Sequence, residues 1–246
     1  MSRSANTSLH PLVALRAIRG LIRDREDTRQ AFLLMDALRG KTTLRQFARF
    51  KATDIGRVVL TERRSLFDRL SDRAALAALP VGTLGRAYSD FMAAENLSAE
   101  GLAAASNLHE LPAGDDMTLF RERTREMHDL LHIVSGYGRD PLGEACVAAF
   151  TYAQTGLKGF AVIAVFAAQR LAGACPGHPV RRTVFEAYRR GRRADWLIAA
   201  DWETLLAAPL HNMRAQFRIA PSVRYEPTLA AIRADRALAT ATKAAA

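Results

Sequence analysis

His128 and His132 are four residues apart in the sequence, a spacing that would let them bind one ion together. On a helix, residues at this distance lie on the same face, one above the other, so both imidazoles can reach a shared ligand. Asp129 lies three residues before His132, which puts its carboxylate at the edge of that face. A glycine- and proline-rich turn over residues 136–143 then leads to Glu144 at the start of the next predicted helix. Because short turns usually make antiparallel neighbours of helices, Glu144 is predicted to return to this face as a fourth ligand.

The chemistry of these four side chains suits a divalent metal ion. Two imidazoles and two carboxylates are suitable ligands for Zn²⁺, and Fe²⁺ or Mn²⁺ would accept the same donors. By itself, a histidine pair with this spacing is more often a surface accident, or a pair of satisfied histidines, than a metal site. The placement of the donors on one face favours the metal site here. If all four coordinated Zn²⁺ together, the tetrahedral centre would be closed to substrate, so the shell expands, one carboxylate is displaced, or the metal is structural.

The elements that must position these residues are predicted to be helices. Apolar residues recur at three- and four-residue steps, and the alternation typical of strands is nearly absent. We therefore expect one compact all-α domain over residues 1–246, with the metal motif on two adjacent antiparallel helices and a frayed alanine-rich tail after about residue 235. Gly40 is a predicted helix stop, Thr83 a predicted N-cap, and residues 173–179 a proline-rich loop. The apolar stripes predict helices over Leu9–Ile22, Phe32–Leu38, Leu60–Leu70, Leu84–Met92, Met117–Val134, Ala145–Ala153, Phe160–Leu171 and Val184–Ile198.

The composition excludes disordered and collagen-like proteins, since 49% of the 246 residues are hydrophobic and 24% are charged. Cys146 and Cys175 are the only cysteines and form no Cys-x-x-Cys pair, which favours a reducing compartment. The most apolar segment, residues 159–168, is ten residues long, whereas a membrane span needs about 20. Residues 1–19 do not form a secretory signal, and no organelle-targeting extension is evident. We therefore expect a cytoplasmic protein.

The net charge of +10 predicts affinity for anionic surfaces. The densest basic segment has few aromatic residues nearby and no recognisable nucleic-acid motif, so no nucleic-acid partner is expected. A solvated helix face is favoured, and a peripheral contact with an anionic membrane surface, such as the inner face of the cell membrane, comes second. The segment contains Arg181, Arg182, Arg189, Arg190, Arg192 and Arg193.

The metal motif and its flanks resemble the Coq4 family of coenzyme Q (ubiquinone) biosynthesis proteins. The run from His128 to His132, followed after eleven residues by Glu144, is similar to the His-Asp-x-x-His-(x)11-Glu zinc-ligand motif of that family. The resemblance covers roughly residues 80–220 and suggests a bacterial-type member. This chain departs from the family at Lys158, where many members have proline, and at residues 199–201, where eukaryotic members have Tyr-Tyr-Glu. The matching flanks include Arg123, Arg125, Glu126, Gly143, residues 80–88, 154–157, 201–203 and 209–210, Arg214 and Ile219.

The resemblance implies a role in ubiquinone biosynthesis. It implies removal of the C1 carboxylate from a polyprenylated hydroxybenzoate, an oxidative decarboxylation by a carbon–carbon lyase, with His128, Asp129, His132 and Glu144 as zinc ligands. A Lewis-acidic cation bound to a ring oxygen would stabilise the negative charge that develops when CO₂ leaves. Zinc has no redox chemistry, so the oxidative route needs O₂ to react with an activated phenolate, or another metal. A quinone-biosynthesis enzyme complex and a homodimer are candidate assemblies.

Two further features are predicted to face the substrate. Arg125 lies one turn before the metal ligands, so its planar guanidinium is our candidate for binding the substrate carboxylate. An alternative is that Arg125 only pairs with Glu122 or Asp129. The apolar run over residues 150–166, whose small residues let a chain approach the backbone closely, is predicted to form a groove for the prenyl tail, although core packing is the more common explanation. The groove candidates are Gly156, Phe160 and Ile163.

Three other classes of protein compete with this interpretation. In the first, the metal pins two helices together and the protein is a scaffold that presents a prenylated intermediate to other enzymes. In the second, the adjacent His128 and Asp129 belong to a His-Asp phosphohydrolase, which would also need His109 and either Asp195 or Asp201. In the third, the motif belongs to a zincin-like protease. This is the weakest interpretation, because Asp129 stands where the general-base glutamate would be.

Overall fold

The computed structural model describes residues 10–23, 28–38, 40–94 and 115–244. Within these ranges the chain forms fourteen α-helices, one short 3₁₀ helix over Leu197–Ala199 and no strand. The helices form one compact domain, so the predicted all-α fold is confirmed. His109 lies outside the described residues.

The first seven helices precede the candidate site in the chain, and the other seven contain or follow it. Helices α1 to α7 span Pro11–Arg23, Thr28–Ala37, Thr42–Lys51, Asp54–Thr61, Leu66–Ser71, Arg73–Ala77 and Leu84–Ala94. Helices α8 to α14 span Asp116–Ser135, Pro141–Thr155, Lys158–Ala174, Val180–Arg193, Trp202–Leu205, Leu210–Gln216 and Tyr225–Ala244.

Helix α9 lies at the centre of the domain and packs against α8, α10, α11 and α14. Its side chains are buried along most of its length, including those of Ala145, Val147 and Phe150. Gly191 of α11 lies so close that an added Cβ would stand 2.8 Å from the Phe150 carbonyl oxygen. Because Glu144 lies in the first turn of α9, this donor belongs to the most enclosed helix of the fold.

A short turn over residues 136–140, here called the site turn, joins α8 to α9. Helix α8 ends at Gly136, whose φ of 76° is in the left-handed region that favours glycine. Asp140 begins α9 as its N-cap and accepts hydrogen bonds from the backbone N–H groups of Leu142 and Gly143. Gly143 allows the turn to close, because a Cβ at this position would stand 2.0 Å from the Gly138 carbonyl oxygen.

Two of the predicted helices are wrong in extent. The stripe over Leu60–Leu70 is divided into α4 and α5, because Arg63 has a φ of 53° and Ser65 caps a new helix. The apolar spacing continues across this break, since residues of both helices face the same core. The stripe over Val184–Ile198 also extends too far, because α11 ends at Arg193 and a 3₁₀ helix follows after an extended connection.

The predicted helix boundaries elsewhere agree with local chemistry. Gly40 follows α2 with a φ of 51°, and the Thr83 hydroxyl accepts a hydrogen bond from the Arg86 N–H at the start of α7. Helix α10 ends at Ala174, so the loop begins two residues later than the predicted start at residue 173. The alanine-rich segment after Asp235, predicted to be a frayed tail, instead continues α14 as helix to Ala244, because alanine is the strongest helix former.

Among the described residues, no helix combines the length and the apolarity that a membrane span requires.

Candidate metal centre

Three of the four predicted metal ligands meet at one point. The donor atoms of His128 and His132 on α8 and of Glu144 on α9 all lie within 4.8 Å of one another. No second group of three such side chains occurs in the described part of the chain. Helices α8 and α9 are in contact, as predicted, and this contact brings Glu144 to the histidines. The antiparallel direction of the two helices stays a prediction.

A hydrogen bond to the backbone fixes the orientation of the His132 imidazole. Its Nδ1 lies 2.9 Å from the carbonyl oxygen of Tyr137 in the site turn, so Nδ1–H donates and Nε2 is left with a lone pair. Nε2 stands 3.6 Å from Glu144 Oε2. Burial is the main cause that lowers the pKa of His132, so the imidazole is neutral at pH 7 and this contact is not an ion pair.

The His128 imidazole is held uncharged by its surroundings. Its ring meets the His132 ring edge-on, with centroids 5.1 Å apart, and stacks on Phe160 at 6.1 Å. Burial lowers the pKa of His128 to about 3, helped by the neighbouring His132 and by the charge of Arg139. The Nδ1 atom is buried and has no hydrogen-bond partner. An unsatisfied buried nitrogen is costly in a core, but it is what a metal ligand requires before its ion is bound.

The donor set fits a small divalent cation. Two ligands about 2.1 Å from one tetrahedral ion stand roughly 3.4 Å apart, close to the 3.6 Å between His132 Nε2 and Glu144 Oε2. Two neutral imidazoles and one carboxylate are typical of catalytic zinc sites, which keep a fourth position for water or substrate. The arrangement can therefore hold a metal ion without closing it to substrate.

Asp129 is not brought into this group. Burial raises the pKa of Asp129 to about 6, and the neighbouring Arg139 guanidinium acts in the opposite direction. The three-residue cluster does not contain its oxygen atoms. The role of Asp129 as a fourth ligand stays a prediction.

Arg125 faces a different part of the surface. Its guanidinium donates to Glu126 Oε1 from Nε and Nη2, at 3.0 and 2.5 Å, so its partner is Glu126 rather than Glu122 or Asp129. Arg125 lines a cavity of about 150 Å³ near α5 that contains none of the three metal donors. The structure does not bring this arginine to the donor cluster.

A larger cleft reaches the metal centre from another side. It has a volume of about 460 Å³, and His132 and Arg139 form part of its wall. We call it the site cleft. Its remaining lining residues are Ala87, Phe91, Ile133, Gly136, Tyr137, Gly138, Asp140, Tyr225, Glu226, Leu229 and Arg233.

Tyr225, at the start of α14, holds the site turn. Its hydroxyl accepts a hydrogen bond from the Gly138 N–H at 2.9 Å and donates to Asp140 Oδ2. Its ring packs edge-on against Tyr137, with centroids 5.1 Å apart. Because the carbonyl of Tyr137 orients His132, the hydroxyl of Tyr225 supports the geometry of a metal donor through the turn.

Tyr225→Phe is therefore expected to weaken metal binding by about 10-fold or more, the effect usual for removing an outer hydrogen bond of a metal site. Competition with a chromophoric chelator measures the affinity, and thermal unfolding of the metal-free protein measures stability. Tyr188→Phe is the matched control, since Tyr188 stacks on Tyr152 away from the site turn. Unchanged metal affinity in Tyr225→Phe would contradict this role.

The three residues predicted to line a prenyl groove differ in their surroundings. Phe160 lies beside His128, as described above. Ile163, on the same helix, packs against both the main core and the small hydrophobic cluster of α1 and α2. Gly156 ends α9 with a φ of 67° and is exposed. Phe160 is thus the member of this set that borders the donors, and a groove for a prenyl tail stays a prediction.

The aspartates needed by a His-Asp phosphohydrolase do not join the cluster. Asp195 pairs with Arg218, and Asp201 caps α12 and lies 3.6 Å from Arg64. The described part of the structure therefore gives that interpretation no support beyond the adjacent histidine and aspartate.

One residue of the predicted basic surface is not on the surface. Arg190 is buried, and its guanidinium donates to the carbonyl oxygens of Ser135 and Ala220. It therefore stabilises the end of α8 and is unavailable to a membrane. The other five arginines of the segment are exposed, so a peripheral membrane contact there stays a prediction.

Several residues of the site were not found from the sequence. Phe91 stacks on His132 from α7, with ring centroids 5.7 Å apart, and Tyr225 reaches the site turn from 87 residues away. Neither contact has a local sequence signal. Arg139 could have been found, because it lies between the predicted donors in the turn.

The chain is similar to a family of quinone-biosynthesis proteins. The family model described as "Coenzyme Q (ubiquinone) biosynthesis protein Coq4" matches residues 12–222. The mitochondrial ubiquinone biosynthesis protein COQ4 homolog of Bos taurus is 29% identical over 198 residues, which cover 78% of this chain and 73% of that protein. The mitochondrial COQ4 homolog 1 of Culex quinquefasciatus is 31% identical over 168 residues, 68% of this chain and 59% of that relative.

A solved structure has the same fold. The crystal structure of a candidate ubiquinone biosynthesis protein from Nostoc punctiforme superposes with a TM-score of 0.64 at 23% sequence identity. The superposition covers 86% of this chain and 99% of the Nostoc chain.

Proposed function

The chain belongs to the Coq4 family of coenzyme Q (ubiquinone) biosynthesis proteins, and from that premise we propose that it is a metal-dependent decarboxylase. Its substrate would be a polyprenylated hydroxybenzoate, from which the C1 carboxylate is removed in an oxidative step. Zn²⁺ is the proposed metal, held by His128, His132 and Glu144, with Fe²⁺ and Mn²⁺ as alternatives and Asp129 as a candidate further ligand.

The observation that carries this proposal is the convergence of three donors beside an open cleft. The donor atoms lie within 4.8 Å of one another, and one of the donors, His132, also lines the site cleft of about 460 Å³. A structural zinc site is usually closed by four protein ligands, whereas a catalytic site keeps one position open. Three converging donors next to a cleft favour the catalytic type.

When bound, the ion would supply a Lewis acid that stabilises negative charge on a ring oxygen of the substrate. The protein's side chains supply the other requirements. The Tyr137 carbonyl keeps the Nε2 lone pair of His132 directed to the donor cluster. Phe91 and Phe160 flank the two imidazoles with apolar rings. Apolar walls exclude water and so strengthen electrostatic interactions inside the site.

The oxidative part of the reaction needs an electron acceptor. Zinc does not change its oxidation state, so with Zn²⁺ bound the oxidant would be O₂ reacting with an activated phenolate. Fe²⁺ or Mn²⁺ in the same donors would supply redox chemistry directly. Activity measured with each metal in turn distinguishes these routes.

We expect the purified, metal-loaded protein to release CO₂ in the presence of O₂ from a polyprenylated hydroxybenzoate labelled at the carboxyl carbon. Glu144→Gln should reduce this release by about 100-fold or more, because it weakens the hold on the Lewis acid. Glu62→Gln is the matched control, because it changes an exposed carboxylate that is far from Glu144 in the sequence. If the loaded wild-type protein binds the substrate but releases no CO₂, the decarboxylase is excluded and the scaffold interpretation is favoured.

A further inference from the structure

The site cleft is lined by both apolar and charged side chains. Ala87 and Phe91 of α7 contribute apolar surface, and Leu229 of α14 adds to it. Arg139 from the site turn and Arg233 from α14 contribute positive charge to the same cleft. Asp140 and Glu226 contribute negative charge to it, and the Asp140 carboxylate accepts a hydrogen bond from the Tyr225 hydroxyl. Apolar surface with a few polar groups is typical of sites that bind small organic molecules, and the volume of about 460 Å³ is within their usual range.

Arg139 lies at the edge of the donor cluster. Its Nε atom stands 3.6 Å from Glu144 Oε1, so its guanidinium is beside a metal donor. Arg139 and the donor His132 both line the site cleft. A carboxylate that entered the cleft beside His132 would therefore meet a guanidinium already held next to the site.

Helix α14 places a second cation in the cleft. Tyr225, Leu229 and Arg233 are four residues apart, so they share one face of the helix. Tyr225 fixes the beginning of this helix to the site turn through its hydrogen bonds to Gly138 and Asp140. Arg233 thus lines the same cleft as Arg139 on a helix anchored to the turn that carries Arg139.

Building on the proposed function, we propose that the site cleft binds the aromatic carboxylate head of the substrate, and that Arg139 holds the carboxylate with Arg233 as a second cation. A planar guanidinium matches a carboxylate through paired hydrogen bonds. The ring would lie against the apolar residues of α7 and α14, with His132 in the wall beside it. This assignment replaces Arg125, whose cavity contains no metal donor.

The test compares two small probes, 4-hydroxybenzoate and phenol, which differ in the carboxylate. Calorimetric titration of the zinc-loaded protein measures the affinity for each probe. Arg139→Gln should weaken the binding of 4-hydroxybenzoate by about 10-fold or more, the effect of losing a charged hydrogen bond, and should leave the binding of phenol unchanged. Arg233→Gln should weaken the binding of 4-hydroxybenzoate by a smaller factor. Arg218→Gln, an exposed arginine, is the matched control and should alter neither probe.

Zinc content is measured in every variant, because Arg139 lies beside Glu144. If Arg139→Gln loses zinc, the Arg233→Gln variant decides the question, since Arg233 belongs to the cleft but to no donor contact described above. The proposal is overturned if both variants bind 4-hydroxybenzoate with the affinity of the wild type. It is also overturned if only Arg125→Gln loses affinity, or if the wild type does not bind the probe. These results are independent of CO₂ release by the wild type, so failure of the cleft assignment and failure of the decarboxylase are distinguished.

Discussion

His132→Ala is expected to abolish stoichiometric metal binding while the helical fold persists. The substitution removes the Nε2 donor that stands 3.6 Å from Glu144 and also the hydrogen bond that ties α8 to the Tyr137 carbonyl. Removing a group that only hydrogen-bonds to a metal ligand lowers metal affinity by about 10- to 100-fold. Removing a ligand together with its hydrogen bond should therefore lower metal affinity by more than about 100-fold. Metal analysis after dialysis measures the content, and circular dichroism measures the helix.

His211→Ala is the matched control, because His211 is an exposed histidine on α13 outside the donor cluster. It should retain the wild-type metal content. Stoichiometric metal in His132→Ala would contradict the proposed centre, and a metal-free wild type after loading would remove the metal-dependent mechanism altogether. Glu144→Gln tests the same centre with less risk to the fold, because the Glu144 side chain is 42% exposed whereas that of His132 is 1% exposed.

Acid should release the metal only below the ordinary histidine pKa of about 6.5. Protons compete with metal for an imidazole only at a pH near or below its folded pKa. Burial lowers the pKa of His128 to about 3 and lowers that of His132, so the neutral, ligand-competent forms persist as the pH falls through 6.5. The metal content of the wild-type protein after dialysis at a series of pH values measures this release.

The donors were predictable because their spacing is local. The four-residue step between His128 and His132 forces them onto one helix face, and the intervening turn is too short to carry Glu144 far away. The prediction did not separate Asp129 from the other three donors, because a residue at the edge of a helix face can point toward the site or away from it. Only packing decides that direction.

The rest of the site depends on contacts that sequence spacing cannot reveal. Tyr225 bonds to a turn 87 residues earlier, and Phe91 reaches His132 across the packing of α7 against α8. Arg125 was predicted to face the donors from its position one turn away, but the neighbouring Glu126 offers a nearer partner. The break between α4 and α5 was missed for a similar reason, since the apolar period continued while the backbone turned at Arg63.

The same kind of long-range contact anchors α8 just before its two histidines. Arg123 is 3% exposed, and its guanidinium forms a paired ion bridge with Glu203 and also donates to the Ala200 carbonyl oxygen at 3.1 Å. These bonds join α8 to α12, 80 residues away in the chain. The arginine lies just over one turn before His128, so it fixes the helix that presents both imidazoles.

Arg123→Ala is expected to lower the free energy of unfolding by about 3–5 kcal/mol, because it leaves the carboxylate of Glu203 largely buried and without its partner. Urea unfolding of the metal-free protein measures the change. The double variant Arg123→Met with Glu203→Leu should recover much of the loss, since apolar residues of similar size can replace a buried ion pair. Arg57→Ala, which removes an exposed pair with Asp54, is the control and should cause no measurable loss. A cost for Arg123→Ala no greater than that of the control would mean that the bridge does not stabilise α8. The position of α8 would then depend on its apolar contacts alone.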